Sequence, residues 1–156
     1  MHNRFFKFLV NIYPPYLGAG IKVQKISPDF REIVVQMRLR WYNRNYVRTH
    51  FGGSLYAMVD PFYMLMLIQL LGKAYIVWDR SASIEFLKPG RGKVTAHFKV
   101  SARQTDEIVA KTENGQKFQP EFSVDIRDED NALVAKVNKV LYIKRKAIHN
   151  GESTPL

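Results

Sequence analysis

From Asn45 to Asp60 the chain reads Asn-Tyr-Val-Arg-Thr-His-Phe-Gly-Gly-Ser-Leu-Tyr-Ala-Met-Val-Asp: a polar loop, a glycine pair, then an apolar run with one carboxylate. Glycines at the mouth of a helix can aim backbone N–H groups at a developing negative charge. Gly52 and Gly53 are such donors, and Asp60, about two turns along the same expected helix, is a candidate general base or nucleophile. Its neighbours Met58, Val59, Pro61 and Phe62 are apolar, so desolvation is expected to raise its pKa. The competing expectation has Asp60 capping a proline-kinked helix or pairing with a loop arginine.

Around this pair stand further candidates. Asn45 can orient a water or simply fix its turn. His50 and Phe51 border the glycines, with a solvent-exposed loop position as the plainer expectation for His50, and Ser54, Tyr56 and Tyr63 follow on the helix as candidate walls of a substrate slot or as plain core. Glu85 offers a second acid, with an exposed strand carboxylate as the alternative. Lys88 and Arg91, in Lys88-Pro89-Gly90-Arg91-Gly92, can meet anionic phosphates or form an ordinary basic hairpin. Ser54 is no esterase nucleophile, because Gly-Gly-Ser-Leu-Tyr lacks the closing glycine of the strand-turn-helix elbow. His2, His50, His97 and His149 have no paired spacing on one element, so no metal is expected.

A length of 156 residues suits one domain, expected over 1–146 with an N-terminal helix, followed by a polar disordered tail over 147–156. The 46% hydrophobic and 24% charged fractions exclude a disordered body. Cysteine is absent, which excludes thiolate catalysis and fits a reducing, cytoplasmic setting. The net charge of +10 favours an anionic partner: nucleic acid, a membrane surface or a phosphorylated ligand. His97, Lys99 and Arg103 share a strand face without aromatics, so no nucleic acid is expected.

The elements follow from periodicity. Phe5 to Ile12 makes a short amphipathic helix stopped at Pro14-Pro15 and expected to dock on the protein's own sheet, with membrane contact as the lesser alternative. Ile21, Val23 and Ile26 mark one strand; Ile33, Val35, Met37 and Leu39 mark the next. After a loop from about Tyr42 to Phe51, one long helix is expected from Ser54, its N-cap, to Leu71, with Gly72 as its stop. That run approaches the length of a membrane span, but Asp60, Pro61 and Gln69 argue for burial inside a sheet instead. A strand over Ala74–Lys88 and an alternating strand from Val94 to Ala102 come next. A helix over Thr105–Asn114, capped by Thr105 or Asp106, precedes the last two strands, which carry Phe118, Phe122, Val124 and Ile126, then Ala135, Val137, Leu141 and Ile143. This order predicts an α+β architecture, an antiparallel sheet curled around a long central helix, which is the hotdog layout. Its free strand edges invite a second copy.

From about residue 5 to 145 the pattern resembles the hotdog-fold acyl-CoA thioesterases, within them a domain-of-unknown-function group often labelled tetrameric acyl-CoA thioesterases. The likeness is carried by Arg44-Asn45, Thr49 to Met58, Asp60-Pro61-Phe62, Val77-Trp78-Asp79 and Lys88 to Gly92. In the similar phenylacetyl-CoA-type thioesterases an Asn precedes His-Gly-Gly and an acid follows on the central helix. Asn45, Gly52, Gly53 and Asp60 match those positions; His50 stands one place early, and Phe51 precedes Gly52. The resemblance implies hydrolysis of an acyl-CoA thioester, with coenzyme A only as part of the substrate and no cofactor. It also implies self-association into a dimer or tetramer. The alternatives are a hotdog protein that binds acyl-CoA or a fatty-acyl ligand without turnover, and a hydratase or dehydratase, which would need a His–acid pair.

Overall fold

Alternating apolar residues build the sheet, and one apolar segment fills it. The structure, a computed structural model, describes residues 3–147. The strands are β1 (Ile21–Ile26), β2 (Glu32–Arg38), β3 (Tyr75–Phe86), β4 (Lys93–Lys99), β5 (Lys117–Phe118), β6 (Glu121–Arg127) and β7 (Leu133–Arg145). They form one antiparallel sheet in the order β1-β2-β4-β6-β7-β3, with β5 paired to the end of β7. Ile33, Val35 and Met37 of β2 and Val94, Ala96 and Phe98 of β4 point to the same buried face, as the period of two requires.

Against that face lie α3 (Gly52–Ala57) and α4 (Phe62–Leu71). The expected single helix is therefore two. Pro61 has no N–H with which to continue the ladder, and residues 58–61 form a turn between the halves. By length and composition Gly52–Leu71 could cross a membrane. Here its Met58, Val59, Phe62, Met66 and Leu67 are fully buried among sheet side chains. Phe62 and Tyr63 both pack on Phe98, at 5.1 and 5.2 Å between ring centroids.

At the N-terminus α1 (Asn3–Asn11) is followed by α2 (Pro14–Ala19). The prolines end one helix and begin another, because a proline lacks only an N–H that the first turn leaves unused. A further helix, α5 (Ala102–Thr112), starts earlier than the sequence suggests. Ser101 is its cap: the Ser101 hydroxyl accepts from the Gln104 N–H at 3.2 Å, and the Ser101 N–H donates to Gln104 Oε1 at 2.9 Å. This reciprocal pair overrides the strand alternation that placed Ala102 on β4. Ser101→Ala should cost about 1 kcal/mol in urea denaturation, within the usual range for a lost cap; an unchanged midpoint would deny the cap that role. Of the expected tail, residues 148–156 lie outside the described residues.

Candidate active site

The break at residues 58–61 has a chemical consequence. It turns Asp60 toward β7, where Lys139 stands fully buried. The Lys139 ammonium donates to Asp60 Oδ1 at 2.8 Å and also to the Asp60 carbonyl oxygen. The Tyr56 hydroxyl, one turn back on α3, donates to the same Oδ1 at 2.6 Å. Asp79 of β3 completes the group, its Oδ1 buried and 3.0 Å from Lys139 Nζ. A bulge in β3 between Asp79 and Ser81 shifts the pairing with β7, so Asp79 stands opposite Leu141 and the small Ala82 opposite Lys139. Two carboxylates thus share one buried cation.

The carboxylates are held differently. Burial works to raise the Asp60 pKa, but the Lys139 and Tyr56 hydrogen bonds and the Lys139 charge outweigh it and hold the carboxyl below the ordinary aspartate range. The expected upward shift is thereby corrected: a buried cation invisible to local composition reverses it. Asp79 goes the other way, pushed up by burial and by the Asp60 charge against the pull of Lys139. Tyr56 is raised by burial and by its bond to Asp60, which keeps it a donor.

At the other end of α3, the Ser54 and Leu55 N–H groups make its first bonds, both to the Phe51 carbonyl at 3.0 and 3.1 Å. The Gly52 and Gly53 N–H groups precede them, where a helix offers no internal acceptor. A Cβ on Gly52 would stand 3.0 Å from the Phe86 ring, and one on Gly53 only 2.5 Å from Phe51. Glycine is what lets both rings close over this turn. A cleft of about 370 Å³ opens here, lined by Asn45, His50, Gly52, Leu55, Phe86 and Lys88 among others. Asp60 is not among its lining residues. Gly52 opens α3, whereas Asp60 stands beyond its end, in the turn before α4.

Other sequence candidates take other duties. Asn45 closes its own loop: its Oδ1 accepts from the Thr49 N–H at 3.0 Å and its amide donates to Thr49 Oγ1 at 2.9 Å. His50 is buried rather than solvent-exposed, its Nε2 3.0 Å from the Gly92 carbonyl, and burial lowers its pKa. Tyr63 is core, donating to the Ser123 carbonyl at 2.8 Å and stacked on Phe122. Glu85 pairs across the sheet with Lys136, both exposed. The second acid of the cluster is therefore Asp79. Lys88 is engaged by Asp128 at 2.6 Å, and exposed Arg91 shares a cleft with Asp128, Glu129 and Asp130. Those acids give the hairpin a mixed charge, poorly suited to phosphates. Phe51 is exposed beside the glycines, and Ser54 is half-buried.

Lys139 was the residue missed, and its signal is plain. Ala135, Val137, Leu141 and Ile143 define the buried phase of β7, and Lys139 falls in that phase. A lysine there requires a carboxylate on a neighbouring element.

A curved antiparallel sheet around a central helix pair, with this glycine turn at the helix mouth, defines a hotdog protein. The chain belongs to the family described as a domain of unknown function, DUF4442, whose pattern matches residues 2–143. No curated protein sequence matches it. Among solved structures it is similar to PA5026 of Pseudomonas aeruginosa, described as a protein of unknown function and probable thioesterase. The TM-score is 0.83 at 12% identity, covering 94% of this chain and 97% of that one. It is also similar to the thioesterase HI1161 of Haemophilus influenzae, with a TM-score of 0.65 at 17% identity over 92% and 91%. The PaaI protein from the phenylacetic acid degradation operon of Escherichia coli gives 0.61 at 16% over 89% and 88%.

Proposed function

We propose that this protein hydrolyses an acyl-CoA-type thioester, with Asp60 as general base or nucleophile and the Gly52 and Gly53 N–H groups polarising the thioester carbonyl. One observation carries the reading: Asp60 is a half-exposed carboxylate kept ionised by Lys139 and Tyr56, in the turn that follows the helix whose mouth presents those donors. Acting as base, Asp60 takes a proton from water as the water oxygen bonds the thioester carbon. The oxyanion collapses, the carbon–sulfur bond breaks, and the departing thiolate takes the proton from Asp60. The products are a carboxylic acid and free coenzyme A.

In this reading self-association brings the donors of one copy to the carboxylate of another. β3 supports it, because it is twelve residues long and bonded only to β7 on one side. The names of the similar thioesterase structures support the substrate class. Asn45, spent on its own loop, and His50, held to the Gly92 carbonyl, favour a second reading in which the site binds an acyl ligand without turnover.

Free-thiol release from short, medium, long and aryl acyl-CoAs decides between them. Turnover of at least one member is expected. Saturable binding with no thiol released from any would reject hydrolysis in favour of the binding reading.

A further inference from the structure

We propose that α1, α2 and the groove beside them dock this protein onto an anionic phospholipid surface. α1 is held to the sheet largely by hydrogen bonds. Asn3, Lys7 and Asn11, spaced four residues apart on one helix face, reach the free edge of β1. The Asn3 amide donates to the Ile26 carbonyl, Lys7 donates to that of Gln24, and Asn11 both donates to the Val23 carbonyl and accepts from its N–H, at 3.1 and 2.7 Å. Only Phe6 is buried, edge-on against Phe30. The helix is thus attached by a mixed face, three hydrogen-bonding side chains with Phe6 and the partly buried Val10 between them.

Its apolar face is left over. Phe5, Phe8, Leu9 and Ile12 recur at helical spacing and, with Tyr13 and Leu17 of the adjoining turn and α2, are each 40–58% exposed. This inverts the usual arrangement, in which an amphipathic helix buries its apolar stripe. An expected docking on the protein's own sheet does occur, but it does not consume the stripe.

Charge says what covers it. α2 ends at Gly20, and Gly20 forms part of the wall of a groove of about 270 Å³ lined by Lys22, Gln24, Gln36, Arg38, Arg40, Tyr42 and Lys93. No carboxylate lines it. Lys93 lies 3.8 Å from Glu129, whereas Lys22, Arg38 and Arg40 are in no ion pair among the described residues. Beside the groove Trp41 stands 81% exposed, edge-on to Tyr42. An apolar stripe, an exposed tryptophan and unpaired cations are what a headgroup layer accommodates: aromatic rings at the interface and phosphates against the cations. A second copy of the chain suits this surface less well, because each copy carries a net charge of +10 and would bring cations against cations.

Co-sedimentation of the full chain with vesicles tests the proposal. Binding to phosphatidylcholine vesicles containing phosphatidylglycerol is expected, with much weaker binding to phosphatidylcholine alone and weakening by salt. A Phe5→Ser/Phe8→Ser/Ile12→Ser variant should bind at least about tenfold more weakly with an unchanged melting profile, since these side chains are exposed. A Lys22→Gln/Arg38→Gln/Arg40→Gln variant should lose about a hundredfold, at roughly fivefold per cation near an anionic surface. Three results would overturn the assignment. One is no binding to the anionic vesicles. A second is binding that the stripe variant leaves intact and that inorganic phosphate abolishes at equal ionic strength, which would make the groove a free-anion site. The third is a fall in sedimenting mass in the stripe variant without lipid, which would assign the stripe to a second copy.

Discussion

Lys139→Met is expected to destabilise the protein by about 3 kcal/mol at neutral pH. Methionine fills nearly the same volume, so the loss comes from charge and not from a cavity. It leaves Asp60 and Asp79 facing one another with no cation between them. Removing one partner of a buried pair costs about 3–5 kcal/mol, and the lower end applies because the Asp60 side chain is 45% exposed and can be partly hydrated.

The deficit should depend on pH with a defined sign. Asp60 has its folded pKa below the unfolded value, so its stabilising contribution is present above the unfolded pKa and lost as pH falls through the folded one. Asp79 has its folded pKa raised; stability from its neutral form is present below the unfolded pKa and lost as pH rises through the folded one. Urea denaturation of wild type and Lys139→Met should therefore differ most above the carboxylate range and converge in acid, where both acids are protonated. Adding Asp60→Asn and Asp79→Asn to Lys139→Met removes the whole charged group and should recover most of the stability. Equal midpoints for wild type and Lys139→Met at neutral pH would mean that the ammonium holds nothing together.

This cluster also marks where local sequence pattern stops being informative. The sheet was legible because β2, β4, β6 and β7 alternate with a period of two, and the central segment because it is apolar all round. The single long helix was not, since a proline inside a helical pattern marks a break without fixing where the second half restarts. Ala102 continued a strand alternation until the Ser101–Gln104 cap, a stronger local term, ended it. At the site, the glycine turn and Asp60 were readable from residue type and spacing, but the Asp60 ionisation was not. It depends on Lys139, 79 residues away, and on Asp79 across a β-bulge whose position no alternation predicts. Phase alone could have flagged Lys139; only the sheet order brings it to Asp60.

Asp60→Asn is expected to lower kcat by about a hundredfold to ten-thousandfold, the usual worth of a positioned general base, and to leave acyl-CoA binding close to wild type. The substitution keeps the shape and the acceptor oxygen for Tyr56 and Lys139, and Lys139 retains Asp79 as its counter-charge, so the fold should survive. The pH profile then separates the two carboxylates. A base must be ionised to act, and Asp60 is held below the ordinary aspartate range, so its acid limb should fall well under neutrality and the rate should stay level through it. If Asp79 takes the proton instead, the limb should appear at higher pH, because its pKa is raised, and Asp79→Asn should carry the larger loss. Full turnover in Asp60→Asn would remove it from the chemistry and leave the buried lysine with a structural task alone. Loss of turnover with the acid limb at the higher position would make Asp60 the group that positions Lys139, and Asp79 the base.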